Sequence, residues 1–279
     1  MPTGSSASQL AAPPVNQQKG VTVEIGAIPI FLKSDDPGFQ RLAEDRYAGF
    51  LNPAAESSWR MDVHLQAPAR AAEEEEVRVL RRGSVWCVDR SDFRAEIDAS
   101  TRTGWVSQAP NPYTLDALLR VVHSLVLAEE GGFLLHAASG VRNGRAFVFA
   151  GVSGAGKTTI SRLAPSDATL LTDEISYVRR TGHAYYAYGT PFTGELACVG
   201  DNVRAPLAAL YLLEKGTDNR IVPIRRSDAA HALMRNVLFF SHDPSLVERV
   251  FEAALDFVSR VPVAGFVFTP DERAWELVR

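Results

Sequence analysis

The residues with the clearest chemical meaning are Gly151-Val152-Ser153-Gly154-Ala155-Gly156-Lys157-Thr158-Thr159, which fit the pattern G-x-x-x-x-G-K-[ST]. Glycines at 151, 154 and 156 let the backbone turn tightly enough for its N–H groups to face a phosphate chain. Gly151, Ser153, Gly154, Ala155, Gly156, Lys157, Thr158 and Thr159 are therefore read as the cradle for a nucleotide's phosphates. Lys157 is placed to reach the terminal phosphates, and the Thr158 hydroxyl to hold Mg²⁺. A β-type run, Arg145 to Ala150, precedes the glycines, and a short helical run, Thr158 to Ala164, follows them. A glycine-rich turn that binds nothing would not call for this order of strand, loop, Lys-Thr and helix.

A phosphate loop that does chemistry needs a metal-holding acid and a group to handle the acceptor. Thr172-Asp173-Glu174 ends an apolar strand and supplies two acids. Asp173 is the better candidate for the base that takes an acceptor's proton, with Glu174 on Mg²⁺ beside Thr158; the reverse division stays open. His136 interrupts the apolar run Phe133-Leu134-Leu135, and alone it would read as a core histidine. Asn143-Gly144 is a strong hairpin signal, however. Folding there sets residue 136 opposite residue 151, at the mouth of the phosphate site, where the imidazole could orient an acceptor hydroxyl or contact the γ-phosphate. Arg204, in the loop before a core strand, is a candidate for neutralising transferring charge. Arg179, Arg180 and Glu195 are weaker candidates.

The elements that must position these groups follow from pattern and caps. Val21 to Ile25 and Ile28 to Leu32 read as strands around Gly26. Asp35 or Asp36 caps a helix with Pro37 in its first turn. Trp59 to Leu65 alternates as a half-buried strand with His64 on its polar side. Ala67 to Ala72 is a loop and Glu73 to Glu76 a solvated acidic run. Val77 to Leu80, Val85 to Val88, Phe93 to Ile97 and Gly104 to Ser107 suggest an antiparallel meander, with Trp86 and Trp105 read as packing residues. Tyr113 to Glu130 is a helix with Asn111 and Pro112 at its start, Gly131-Gly132 at its end, and His123 near its apolar stripe. Later strands are expected at Ala168 to Leu171, Ile175 to Arg179, Ala184 to Tyr188, Leu207 to Leu213, Arg220 to Ile224 and Val263 to Phe268. Helices are expected from Ser227-Asp228 through Phe239, from Asp243-Pro244 to about Ser259, and at Pro270 to Val278.

Length and composition bound the rest. A chain of 279 residues with 46% hydrophobic residues can bury a proper core. A net charge of −4 provides no basic field for nucleic acid. Cys87 and Cys198 show no metal or redox spacing. Residues 1–20 lack the basic start and apolar run of a signal peptide and read as a disordered tail. No apolar run is long enough to span a bilayer, so a cytoplasmic protein that engages neither membrane nor nucleic acid is expected. The division is a tail over 1–20, a β-rich region over 21–110 for substrate or partner docking, and a P-loop domain over 111–279. The fold class is α/β (α+β) with a mixed sheet.

His136, the hairpin, Gly151 to Thr159 and Thr172-Asp173-Glu174, in this order and spacing, resemble the catalytic domain of HPr serine kinase/phosphorylase, and most closely the smaller HPr kinase-related bacterial proteins. The resemblance covers roughly the last 150 residues, with its specific part at residues 133 to 174. It implies a core of the phosphoenolpyruvate carboxykinase type and ATP-dependent phosphorylation of a hydroxyl, typically serine. By position, His136 matches the family histidine, Lys157 the phosphate lysine and Thr158 the metal hydroxyl. Asp173 and Glu174 match the acidic pair, the first usually taken as the base. The pair is Asp-Glu here rather than Asp-Asp, the glycine- and asparagine-rich dephosphorylation loop is not visible at Gly200 to Pro206, and the N-terminal half differs. The expectation is therefore a kinase using ATP and Mg²⁺ on a peptide, protein or small-molecule hydroxyl, with a homo-oligomer left open. The competing readings are an ATP-binding regulatory or scaffold protein, and a carboxykinase-like ATPase.

Overall fold

The computed structural model describes residues 19–67 and 76–279. Most of the N-terminal tail, the Ala67 to Ala72 loop and the Glu73 to Glu76 run therefore lie outside the described residues.

Alternating burial builds the first layer. β1 (Gly20–Ile25) and β2 (Ile28–Lys33) form a hairpin whose buried positions alternate. α1 (Pro37–Arg46) starts at Asp36, whose carboxylate accepts from the amides of Gly38 and Phe39. β3 (Trp59–Leu65) buries every second residue from Trp59 to Val63 and leaves His64 exposed. The expected meander follows as β4 (Arg78–Arg82), β5 (Val85–Arg90), β6 (Phe93–Asp98) and β7 (Thr103–Gln108), each antiparallel to the next. The seven strands make one sheet in the order β1-β2-β3-β7-β6-β5-β4, and β3 pairs parallel with both β2 and β7. Trp86 is fully buried and stacks on Trp59 at 5.7 Å, which is packing rather than a ligand cage.

α2 (Pro112–Glu130) lies under this sheet. Asn111 caps it through the Thr114 amide, Pro112 opens it, and Gly131 closes it in the left-handed conformation. Its leucines and valines join one apolar cluster with the first sheet, with Leu134, Ile175, Tyr177 and Tyr188 of the second, and with Phe192 in the segment after Tyr188. One helix thus joins both sheets in a single core.

The second sheet holds nine strands. β8 (Gly132–Arg142) and β9 (Arg145–Ala150) form the hairpin expected at Asn143-Gly144, both residues taking positive φ, 52° and 71°. α3 (Lys157–Arg162) is shorter than the expected run. β10 (Ala168–Thr172), β11 (Ile175–Thr181), β12 (Ala184–Tyr188) and β13 (Arg204–Lys215) follow. β13 begins before the expected strand and includes Pro206. After β14 (Arg220–Pro223), α4 (Arg226–Met234) ends well short of Phe239. Val237–Leu238 instead form β15, a two-residue strand against β8. α5 (Pro244–Arg260), β16 (Val263–Phe268) and a 3₁₀ turn at Glu272–Leu277 complete the chain. No helix among the described residues is long and apolar enough to cross a membrane.

His123 of α2 is completely buried, with Nδ1 3.2 Å from the Tyr177 hydroxyl and Nε2 without a partner among the described residues. Burial, and then the nearby Arg179 charge, push its pKa down to about 3. The folded chain keeps this imidazole neutral while the unfolded chain takes up a proton near pH 6.5. Its contribution to stability is therefore complete above about pH 6.5 and declines as pH falls toward 3. Lowering pH from 7.5 to 5.0 should cost the wild type about 2 kcal/mol more than His123→Gln. Urea unfolding at the two pH values measures this, and equal pH slopes would contradict it.

Candidate functional site

The site forms where β8 changes partners. From Ala137 to Arg142, β8 pairs with β9 on one side, and from Ser139 to Arg142 it pairs with β10 on the other. From Gly132 to His136 it pairs with β11, and at Leu134 and Leu135 with β15. β10 and β11 thus run along the same edge of β8, interrupted after a register shift between Leu170 and Thr172. Asp173 and Glu174 occupy that interruption. On the opposite edge the ladder ends at Ala137–Ala150, and the chain leaves as the glycine loop. His136 stands between the two departures, one step past the last β9 pair, as the hairpin register requires. Bulges and strand breaks of this kind aim side chains away from the sheet.

The acid pair is held by a local device. The Thr172 hydroxyl accepts from the amides of Glu174 and Ile175, both at 3.1 Å, and so bends the chain. Asp173 is buried, and its two carboxylate oxygens accept from the backbone of the Gly189–Val203 segment, Oδ1 from Gly194 N at 3.0 Å and Oδ2 from Leu196 N at 2.9 Å. Glu174 is only partly buried and lies 3.8 Å from His136 Nδ1. A Cβ at Gly194 would stand 2.8 Å from Glu174 Oε2 and 2.9 Å from Asp173 Oδ2, so a larger residue there would displace the acid pair.

Both glycines at the centre of the loop take positive φ, Gly154 at 77° and Gly156 at 113°, and a Cβ at Gly156 would press on the Phe268 ring. Lys157 is buried. Its ammonium donates to the Gly151 carbonyl at 2.9 Å and lies 3.5 Å from that of Val152. Burial holds its pKa below the usual lysine value, while the charges of Glu174 and Glu195 pull it back up. The Thr158 hydroxyl donates to Glu195 Oε2 at 3.2 Å.

These groups line one cavity of about 510 Å³. It brings together His136, Lys157, Thr158, Asp173 and Glu174 with Ser153, Gly154, Gly156 and Thr159 of the loop. Gly151 sits at the loop's base, and Ala155 is buried beneath it. Arg204 is not brought there. It is exposed at the start of β13, 5.3 Å above the Tyr186 ring and 3.4 Å from the Tyr188 hydroxyl. Two other cationic residues line the cavity, Arg120 of α2 and Lys215 at the end of β13. Arg120 carried one overlooked signal, a charge set among Leu118, Leu119, Val121 and Val122. Glu195 gains weight from its bond to Thr158. Among the described residues no group of three or more His, Cys, Asp or Glu is arranged to hold a metal ion by itself.

Asp173 therefore acts as a clamp on the Gly194–Leu196 segment. Asp173→Asn replaces one acceptor by a donor facing an amide, and hydrogen exchange at Gly194 and Leu196 should accelerate at least about tenfold. Unchanged protection at both amides would contradict the clamp.

Residues 113–278, more than half of the chain, match a family described as SynChlorMet cassette protein ScmC. The match opens at the first turn of α2 and runs to the last residues of the chain, so it takes in every residue that lines the cavity. No curated protein matches the chain. With the match extending over α2, the whole second sheet and the cavity, the chain belongs to the SynChlorMet cassette protein ScmC family.

Proposed function

We propose that the protein is an ATP-dependent kinase of the HPr kinase-related type, with a P-loop domain, acting on a hydroxyl of a peptide, protein or small molecule. The observation that supports this most is the convergence of Lys157, Thr158, His136, Asp173 and Glu174 on one cavity from both edges of β8. A phosphate loop alone implies nucleotide binding; an imidazole and two carboxylates facing it imply an acceptor.

The residues present fit both ATP and Mg²⁺. The positive φ of Gly154 and Gly156 opens the loop backbone, and Lys157 now donates to the loop's own carbonyls, which a phosphate would replace as partners. The Thr158 hydroxyl and the Glu195 carboxylate offer adjacent hard oxygens for Mg²⁺. An ion that takes most of its remaining ligands from phosphates and water needs no larger protein cluster. When bound, MgATP supplies the γ-phosphoryl group.

The chain's own residues do the rest. Lys157 and the loop amides hold the phosphates and offset their charge. Asp173 keeps the Gly194–Leu196 segment closed over the site. Glu174 is the carboxylate with free acceptor capacity, and with His136 beside it this pair is placed to orient the acceptor hydroxyl and take its proton. The base role thus moves from Asp173, the acid that the resemblance implies, to Glu174, because both Asp173 oxygens are already engaged by backbone donors.

Incubation with γ-labelled ATP, Mg²⁺ and candidate peptides or a cell lysate should give acceptor-dependent transfer. Glu174→Gln should lower the rate about a hundredfold or more with nucleotide binding retained, and Lys157→Ala should lose nucleotide binding. Tight nucleotide binding without any acceptor-dependent transfer would replace the kinase reading by that of a nucleotide-binding regulatory protein.

A further inference from the structure

Arg120 presents a half-buried cationic group to which the fold gives no hydrogen-bonded anionic partner. On a helix its natural partner is Asp116, four residues earlier. That carboxylate is already taken. Oδ2 accepts from Arg46 Nε at 3.2 Å and Nη2 at 2.7 Å, and Oδ1 from the Tyr47 hydroxyl at 2.7 Å. Arg46 is fixed further by the Pro191 carbonyl, so the network is closed. Arg120 makes no hydrogen bond among the described residues, and its Nε is buried without a partner. Its guanidinium rests 5.0 Å from the Phe192 ring centroid, in the wall of the cavity. Burial lowers its pKa, and the neighbouring charges of Asp116 and Glu174 oppose that shift. A guanidinium stays charged under these conditions, so the fold leaves a cation with carboxylates nearby but none hydrogen-bonded to it, and its donors are open to an anion entering the cavity.

The position selects the anion. Lys157 and the loop amides reach the cavity from the end of β9, whereas Arg120 reaches it from α2, and Glu174 lines the same cavity. Glu174 interacts with the charges of both Lys157 and Arg120, and it adjoins His136. A group lying between the phosphate loop and the acceptor pair is the transferring one. We propose that the Arg120 guanidinium, held by the Phe192 ring and left unpaired because Arg46 and Tyr47 occupy Asp116, binds the γ-phosphoryl group of the nucleotide. The inference rests on the kinase reading above. The planar fork of arginine suits two phosphate oxygens at once, which a lysine cannot match.

Calorimetric titration of the full chain in Mg²⁺ with ADP, and with the non-hydrolysable β,γ-imido analogue of ATP, tests it. Wild type should bind both. Arg120→Gln should bind ADP within about twofold of wild type but the imido analogue at least about tenfold more weakly. Arg120→Lys should fall between the two, and it carries the same comparison should the glutamine variant fail to fold. Equal weakening of both nucleotides, or of neither, would overturn the assignment while leaving the kinase reading intact. Failure of the wild type to bind either nucleotide would overturn both.

Discussion

The constraint on which the cavity depends is the change of partners along β8 at His136 and Ala137. An antiparallel strand normally keeps its neighbours along its length. Here β9 leaves on one edge just as the β10–β11 edge breaks on the other. The backbone groups freed at the junction are satisfied locally. His136 N donates to the Asn236 carbonyl at 2.7 Å, and Ala137 N to the Glu174 carbonyl at 3.0 Å. The short strand β15 exists to fill the gap that β9 vacates. The same break that interrupts the ladder therefore sets an imidazole, two carboxylates and a glycine loop around one cavity.

The surrounding structure reads as support for that junction. The Gly189–Val203 segment lies over β10, with Thr190 N donating to Leu171 O, Asp201 N to Leu170 O, and the Thr190 hydroxyl to Ile175 O. Asp173 then ties its tip to the junction, and position 200 admits only glycine, because a Cβ there would collide with the Leu171 carbonyl. From the other side, α2 is shared between the two sheets, and the first sheet contributes through α1. Arg46 and Tyr47 reach across to Asp116 and so decide what Arg120 is free to do. The β-rich N-terminal region thus shapes the cavity chemistry as well as packing against it.

Much of this was legible in the sequence where the signal is local. Asn111-Pro112 and Gly131 bracketed α2, Asn143-Gly144 fixed the hairpin register, and the loop glycines and Lys157 declared themselves by spacing. The rest depended on distant partners. Alternation in Trp59 to Leu65 reports which side faces the core but not that both neighbours run parallel. The helical pattern after Ser227 continued to Phe239, yet pairing with β8 drew Val237 and Leu238 into extended form, a tertiary override of local propensity. Ala168 to Leu171 and Ile175 to Arg179 read as separate strands, because only β8 makes them collinear. Arg120 shows locally only as a charge among apolar positions of α2, since its lack of a hydrogen-bonded partner depends on residues about 70 positions earlier occupying Asp116. Arg204 erred the other way, conspicuous in a loop but turned onto Tyr186 and Tyr188.

The most direct test is a crystal structure of the full chain with Mg²⁺ and a non-hydrolysable ATP analogue. The account places the triphosphate along Gly151 to Thr159 with its terminal phosphate between Lys157 and Arg120, facing Glu174 and His136. A triphosphate bound away from this loop, or one whose terminal phosphate points away from Glu174 and His136 into solvent, would contradict it.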